Sequence, residues 1–565
     1  MSARRTFTRL AVAGLLGGAT LTGAALAGVV VSPVQDAATG GAGNTTAALD
    51  RAAATAAGTA SGAGATAAAA EGIGAPGSGT PTATTVGLEA GAAKVSIAPR
   101  PADYDGVWET DPAKCKTLDP SFLEQLGENP ANGAHLAAVG SPWPENPNCI
   151  YQGGFGLGPM NPVKAFDTEL GLWVRSVAIG DGKDTAVFTI IDGEGWMWDY
   201  ATKCADCGAE QLSRDLGAEL GIDPAGIVIA ATHSHASPDF IGGWGFVPDW
   251  YMQQVTDAIR ESVRNAVKTM EPAVVEVGEV MARQYNSDRR DTYRSAEEQQ
   301  AGWLRAYVPG TPATKKTDAT PPRVVATLGA YAAHPVSKGT NGGVAHADWP
   351  GEFEKALEDR FGGVGLHFMT GLGNMSRSGN TGTGLAALIP NVGEGRPVAK
   401  ADVTATRTTW RQPATNVPLS ALGLPGFFDR QFDAMPAQVS VGKAASAPCA
   451  SASPVSVQVA AGAIKIGDEL AVTYGPGELF SNLTNTIKER SPAKVTMPLA
   501  QANDALGYIP QSFEMSPVGQ QGLGFVAGGV LIVNYEDSYA IDRCFGDAVL
   551  ENTIAMLNGQ VPPVR

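Results

Sequence analysis

Histidine is scarce in this chain, with six in 565 residues. Basic residues are outnumbered too: 40 Lys and Arg stand against 56 Asp and Glu, a formal net charge of -16. An acidic chain without basic clusters excludes nucleic acid and anionic membrane surfaces as electrostatic partners. Large aliphatic and aromatic residues are nearly missing from Pro33 to about Ala93, where Ala, Gly and Thr dominate. Such a stretch cannot bury enough apolar area to offset the entropy of ordering it, so residues 28–93 read as a disordered tether. Beyond the N-terminus there is no long apolar run, and the rest of the chain offers no membrane span.

What the N-terminus does contain is an export signal. Arg4, Arg5 and Arg9 precede an uncharged stretch from Ala11 to Val31, and Ala25-Leu26-Ala27 has the small-x-small pattern of a signal peptidase site. The stretch is long enough to span a membrane, but its Gly, Ala and Thr content favours cleavage over an uncleaved anchor. Residues 1–27 are therefore expected to be a signal peptide, resembling the twin-arginine type, on a protein that is secreted or tethered at the cell surface. Contact with the membrane periphery or cell envelope is compatible with that location. Six cysteines, an even number in an exported chain, imply disulfides. Cys204-Ala-Asp-Cys207 lacks the second CxxC of a zinc ribbon, so a local disulfide is the stronger reading. The near-neighbour set 115–149, 204–207 and 449–544 is the expected pairing.

From Lys94 onward the composition is globular. By length alone, roughly 470 residues suggest about three domains. Apolar stripes at helical spacing (Leu212, Leu216, Leu220; Val255, Ile259, Val263, Val267) alternate with short apolar runs such as 227–231, 274–280 and 324–332. That alternation predicts an α/β fold of mixed sheets with flanking helices. Residues 381–438, rich in Pro and Gly, show no assignable period.

Two of the few histidines sit together in "IVIAATHSHASPDFIGGWG", residues 227–245. Five apolar residues read as a strand buried on both faces, and ligand sites in open α/β sheets form at the carboxyl ends of strands. On a strand, residues i and i+2 face the same side, so His233 and His235 are expected to point into one crevice at its carboxyl end. His334 ends another strand-like run, "GAYAAHP", and Glu478 follows the turn Pro476-Gly477. Two histidines and a carboxylate, distant in sequence but convergent in space, would suit zinc. His346, in "VAHADWPGEF", is a further candidate, while His135 and His367 lack comparable surroundings and are expected to be structural. Any one of these histidines alone would be read as an ordinary hydrogen-bonded residue. Ser376, in "GLGNMSRSG", is a nucleophile, a substrate contact or simply a turn residue, since no GxSxG elbow surrounds it. Arg289 and Arg290 in "NSDRR" could hold an oxyanion or be surface charges, and Tyr508 and Tyr535 lie near strand ends.

Taken in order, THxH, N-x-x-RR, a strand ending in HP, D-x-PG, G-x-x-S, PGE, GY and YE resemble the neutral (alkaline, non-lysosomal) ceramidase family over most of residues 94–556. The resemblance implies one catalytic domain, here 94–565, because its site draws residues from 233 to 535. It implies a secreted or surface enzyme that hydrolyses the N-acyl amide of ceramide or a related lipid through one zinc ion. His233, His334 and Glu478 would be zinc ligands, with Tyr508 a fourth. His235 would match the catalytic histidine, Arg289 and Tyr535 would stabilise the carbonyl oxygen, and Ser376 would match a serine regarded as nucleophilic or substrate-contacting. The departures are Thr232-His-Ser-His-Ala-Ser-Pro-Asp-Phe for THTHSGPGG and Gly373-Asn-Met-Ser-Arg-Ser for GDxSPN. The family's immunoglobulin-like C-terminal domain is expected to be absent. Two alternatives stay open: a hydrolase of another N-acyl amide or ester of the cell envelope, and a non-catalytic, surface-tethered binding protein.

Overall fold

The short apolar runs become strands, and the polar residues that follow them end up on one side of the molecule. This computed structural model describes residues 86–100, 107–115, 146, 148–155, 161–200, 203–243, 247–290, 296–311, 318–424, 429–442, 448–516 and 535–564, without the side chains of Pro418, Ala421, Leu422 and Tyr535. The expected signal peptide, most of the expected tether and His135 lie outside the described residues. Those that are described belong to one compact unit, so the length-based expectation of about three domains gives way to one.

One five-stranded sheet runs in the order Ile227–Ala231, Thr185–Ile191, Trp173–Gly180, Glu89–Ser96 and Glu271–Pro272. A second has the order Val364–Met369, Arg323–Tyr331, Gln300–Val308, Val274–Met281 and Arg396–Pro397. Their inner faces share a core in which Val177, Phe188 and Val228 of the first sheet meet Leu304, Leu328 and Phe368 of the second. Phe188 and Phe368 touch edge to face at 6.5 Å. The helix Asp249–Lys268 covers the outside of the first sheet, burying Val255, Ile259 and Val263 against Val174 and Val187. Asp348–Phe361 covers the second sheet from its outer side through Phe353. A four-stranded sheet, Val403–Pro413, Ser456–Ile466, Leu470–Tyr474 and Val495–Leu499, adds Ile464, Val472 and Met497 to the shared core and packs against the helix Phe545–Leu557. The architecture is α/β with mixed sheets and flanking helices. No described helix is long and apolar enough to cross a membrane.

The strand Glu89–Ser96 corrects the tether's expected boundary. It pairs antiparallel with Trp173–Gly180, although its sequence, EAGAAKVS, matches the low-complexity stretch before it. Small residues are required here because the helix Asp249–Lys268 lies directly above. A Cβ on Gly91 would collide with the carbonyl oxygen of Ala266. Residues 381–438, without a readable period, hold a short helix, Thr381–Leu388, and the long strand Val403–Pro413. The three disulfides, Cys115–Cys149, Cys204–Cys207 and Cys449–Cys544, are the expected pairs.

Each of the three principal sheets contains one parallel pair: Thr185–Ile191 with Ile227–Ala231, Arg323–Tyr331 with Val364–Met369, and Leu470–Tyr474 with Val495–Leu499. Parallel neighbours have their carboxyl ends on the same side. The loops leaving these six strands hold most of the residues singled out by sequence.

A candidate metal centre

The first pair contributes His233 and His235, which follow Ala231. They converge, with ring centroids 5.0 Å apart, but not by strand alternation. The strand stops at Ala231, and His233 adopts a left-handed backbone, φ 59°. Only a few per cent of non-glycine residues do so, and the conformation aims the ring inward from a turn. Backbone bonds fix that turn: Thr232 donates to Ile191, and His235 donates to Pro335 in the second sheet's loop.

The second pair contributes His334 and Ser376, whose backbones meet in an isolated parallel bridge. His334 is held there by its N–H to Met375 O, at 2.9 Å. The third pair contributes Glu478 and Tyr508, directly opposite each other in the two-residue pairing of Glu478–Leu479 with Tyr508–Ile509. Gly477 permits this approach, because a Cβ there would come within 2.5 Å of Gly507 O.

His233, His235 and His334 each present a ring nitrogen, and the three lie within 4.8 Å of one another. Glu478 Oε2 is 3.6 Å from His233 Nε2 and 3.1 Å from His334 Nε2. Ligands about 2.0–2.1 Å from a tetrahedral zinc are about 3.3 Å apart, so those spacings suit the edges of such a site. All four residues are buried or nearly so. Neither ring nitrogen of His235 has a hydrogen-bond partner, and His334 Nε2 and Glu478 Oε2 make no well-aligned bond despite their closeness. Buried polar atoms are normally paired, and a cluster left unpaired is suited to an ion.

The electrostatics agree. Burial pulls the His334 imidazole down to about 4, helped by the Arg289 cation, and so keeps it neutral. His235 is driven well below its ordinary value by burial and by its two histidine neighbours. For His233, burial pulls downward, but the carboxylates of Glu194 and Glu478 outweigh it and raise the value to about 9. Glu478 is pushed well below the usual carboxylate range, because His233 and His334 outweigh the upward effect of its burial. Neutral imidazoles and an ionised carboxylate are the donor forms that a divalent cation takes, and a cation would displace the proton from His233. The residues present therefore fit a metal ion.

Arg289 stands beside this cluster. It donates to Tyr508 Oη and Gly373 O, both at 3.0 Å, and to Glu536 Oε1 at 2.8 Å. Arg290 is turned inward, donating to Glu514 O at 2.8 Å with its guanidinium over Phe480. The two arginines are thus divided between site and scaffold. Tyr535 opens the short helix Tyr535–Ser538, next to Arg289's partner Glu536, but its side chain lies outside what is described. Asn374, where the resembled pattern has Asp, exchanges two hydrogen bonds with Ser481 at the start of the helix Ser481–Arg490. His346 accepts from the Asp348 backbone, and His367 is enclosed by Trp349 and Phe353, so both are structural.

Sequence reasoning missed Glu194. It lies three residues beyond the strand Thr185–Ile191, is fully buried, and neither carboxylate oxygen has a hydrogen-bond partner. Its Oε1 is 3.7 Å from His233 Nδ1 and 3.8 Å from His235 Nε2. Burial lifts the carboxyl to about 8. The signal was available in "FTIIDGEGW", an apolar run followed by acids and glycines, the same strand-then-polar layout that marked His233 and His334. A cavity partly open to solvent reaches this cluster, with Glu194, His233, His235, Glu478, Gln501 and Tyr508 on its polar wall.

Comparison with known proteins leaves the sequence isolated and the fold placed. No protein-family profile matches the chain, and no curated protein matches it. Solved structures do match. One described as ceramidase complexed with C2 aligns at TM-score 0.53 and 12% identity, covering 85% of this chain and 76% of its own. The neutral ceramidase from Pseudomonas aeruginosa aligns at TM-score 0.51 and 12% identity, with the same coverage. At that identity the likeness concerns the fold, and the fold is the one seen in neutral ceramidase structures.

Proposed function

We propose that this protein is an exported, zinc-dependent amidohydrolase of the neutral ceramidase type, acting on the N-acyl amide of ceramide or a related lipid. The observation that carries the reading is the buried group His233, His235, His334 and Glu478, brought from three sheets to one point with ligand atoms of His235, His334 and Glu478 left unpaired. A shared fold alone would not require this. A purely binding protein gives no reason to assemble such a donor set in a place where each unpaired group costs about 1–3 kcal/mol.

His233, His334 and Glu478 would hold the metal, with Tyr508 completing the set. Zinc bound there supplies a Lewis acid for the amide carbonyl and a water of lowered pKa. Arg289, fixed by Glu536 and Gly373, aims its guanidinium at the Tyr508 hydroxyl, so both groups can take charge developing on the carbonyl oxygen. Tyr535 would add a further donor. His235 is neutral in the resting site and would take a proton from the attacking water and pass it to the departing amine through a ring nitrogen. Glu194, 3.8 Å from His235 Nε2, would orient that ring. Ser376, half-buried beside His334, would contact the substrate.

Amine release from N-acylsphingosine by the purified protein, before and after chelation, tests the reading. Turnover that chelation abolishes and zinc restores is expected. Turnover indifferent to chelation would refute it. Zinc-dependent cleavage of other acyl amides or esters, with ceramide untouched, would keep the hydrolase and replace its substrate.

A further inference from the structure

Gln501 follows the third sheet's strand Val495–Leu499 and is 1% exposed. Neither Oε1 nor Nε2 of its side chain has a hydrogen-bond partner. Its backbone is in the left-handed region, φ 50°, which is unfavourable for a residue with a Cβ. The backbone is held there from two sides. Its N–H donates to Gly477 O at 2.9 Å, and its carbonyl accepts from Ala231 N at 3.1 Å. Gly477 immediately precedes Glu478, and Ala231 begins the turn to His233. The residue is therefore wedged between the loops that carry two of the proposed metal ligands, with its side chain on the wall of the cavity.

A buried carboxamide with no partner is an expensive feature, and a strained backbone adds to it. Elsewhere on the same cavity the chain places Met197, Ile241, Phe432, Leu506 and Ile541, an apolar wall suited to a hydrocarbon chain. Arg430, which also faces it, is already committed to Asp504 and to the Gln458 carbonyl. Gln501 is thus a neutral wall group able both to donate and to accept. The scissile carbonyl belongs at the histidine cluster and Arg289, so Gln501 would meet a different polar group of the same ligand. A charged head would call for a charged partner. A hydroxyl close to the amide matches a carboxamide, accepting from Nε2 and donating to Oε1.

We propose that Gln501 is a specificity-determining residue, reading a hydroxyl on the amine half of an otherwise apolar N-acyl amide. The inference rests on the cavity being the substrate site of the proposed function. Its consequence is an unusual pairing of effects. Replacing Gln501 by methionine, similar in size and apolar, removes an unsatisfied buried amide and weakens recognition at once.

The test uses the purified protein with N-octanoylethanolamine and its deoxy counterpart N-octanoylethylamine. Equilibrium binding of each is measured for wild type and Gln501→Met, alongside amine release and thermal unfolding. Wild type should favour the hydroxylated amide by about 10-fold, and the variant should lose that preference while its Tm is unchanged or raised. A variant that keeps the preference, or a wild type that has none, overturns the proposal. So does a Tm lowered in the variant with the preference intact, which would make Gln501 a structural group. Preferential binding without amine release would instead remove the proposed hydrolase and leave Gln501's role standing.

Discussion

Glu276 and Glu194 are both buried carboxylates, 1% and 0% exposed, and they sit in opposite surroundings. Glu276 accepts from Arg305 Nη1 at 2.9 Å and from the backbone N–H groups of Gly393 and Gly395 at 3.0 and 3.2 Å. Arg305 also donates to Pro390 O and Thr327 Oγ1. That pair closes on itself. The Glu194 carboxylate accepts nothing, with two histidine nitrogens standing off at 3.7 and 3.8 Å, while its backbone carbonyl accepts from His233 Nδ1 at 2.7 Å. Burial alone therefore does not distinguish scaffold from site. What separates these two is whether they lie on the wall of the open cavity, as Glu194 does and Glu276 does not, and whether their polar atoms finish their bonds inside the protein. At the carboxyl ends of the three parallel pairs they do not, and the unfinished bonds belong to Glu194, His235, His334, Glu478 and Gln501.

The largest expected effect comes from opening the closed pair. Arg305→Met should cost about 3–5 kcal/mol in urea unfolding by stranding Glu276, while metal content per folded molecule stays at the wild-type level. Equal loss of metal would mean that the two regions are not independent. The opposite experiment is Glu194→Gln, which removes a buried carboxylate that nothing pairs. Stability should hold or rise, and metal affinity should fall by about 10–100-fold, as for other groups that orient ligands. A large loss of stability would place Glu194 with Glu276 in the scaffold.

His367 sharpens the contrast further, since it is buried and unpaired yet does not line the open cavity. Both ring nitrogens lack partners between Trp349 and Phe353, and burial lowers the imidazole to about 3. The unfolded chain would bind a proton near the ordinary value of about 6.5, before the folded protein can. The stabilisation is thus fully present above that value and is lost as pH falls toward about 3. Replacing His367 by Leu should flatten the acid limb of the stability curve over that window, an effect on the order of a few kcal/mol at its lower end. An unchanged acid limb would show that the imidazole is already charged in the fold.

Much of this was legible in the sequence. Strands of five to nine residues with continuous apolar character, such as Ile227–Ala231 and Arg323–Tyr331, are recognisable because burial on both faces leaves no room for polar alternation. The helices Ala209–Leu220 and Asp249–Lys268 contain the whole of their apolar stripes, Leu212 to Leu220 and Val255 to Val267. His233, His235, His334, Glu478, Tyr508 and Arg289 were all singled out, and they do come together. Glu194 and Gln501 were not, because a single Glu or Gln after a strand looks like any loop residue until its lack of partners is seen. The left-handed backbone of His233 was likewise hidden, since it arises from bonds to Ile191 and Pro335, distant in sequence. The strand Glu89–Ser96 escaped for a related reason. Its small residues answer to a helix some 170 positions away, as the Ala93–Ser262 contact shows with a separation of 169.

The central claim is that this open cluster holds a metal ion, and elemental analysis of the purified folded protein tests it most directly. The account predicts one zinc per chain in wild type and none in His233→Ala, with unfolding of the two metal-free proteins nearly alike. A folded wild type that binds no metal when zinc is supplied would contradict it.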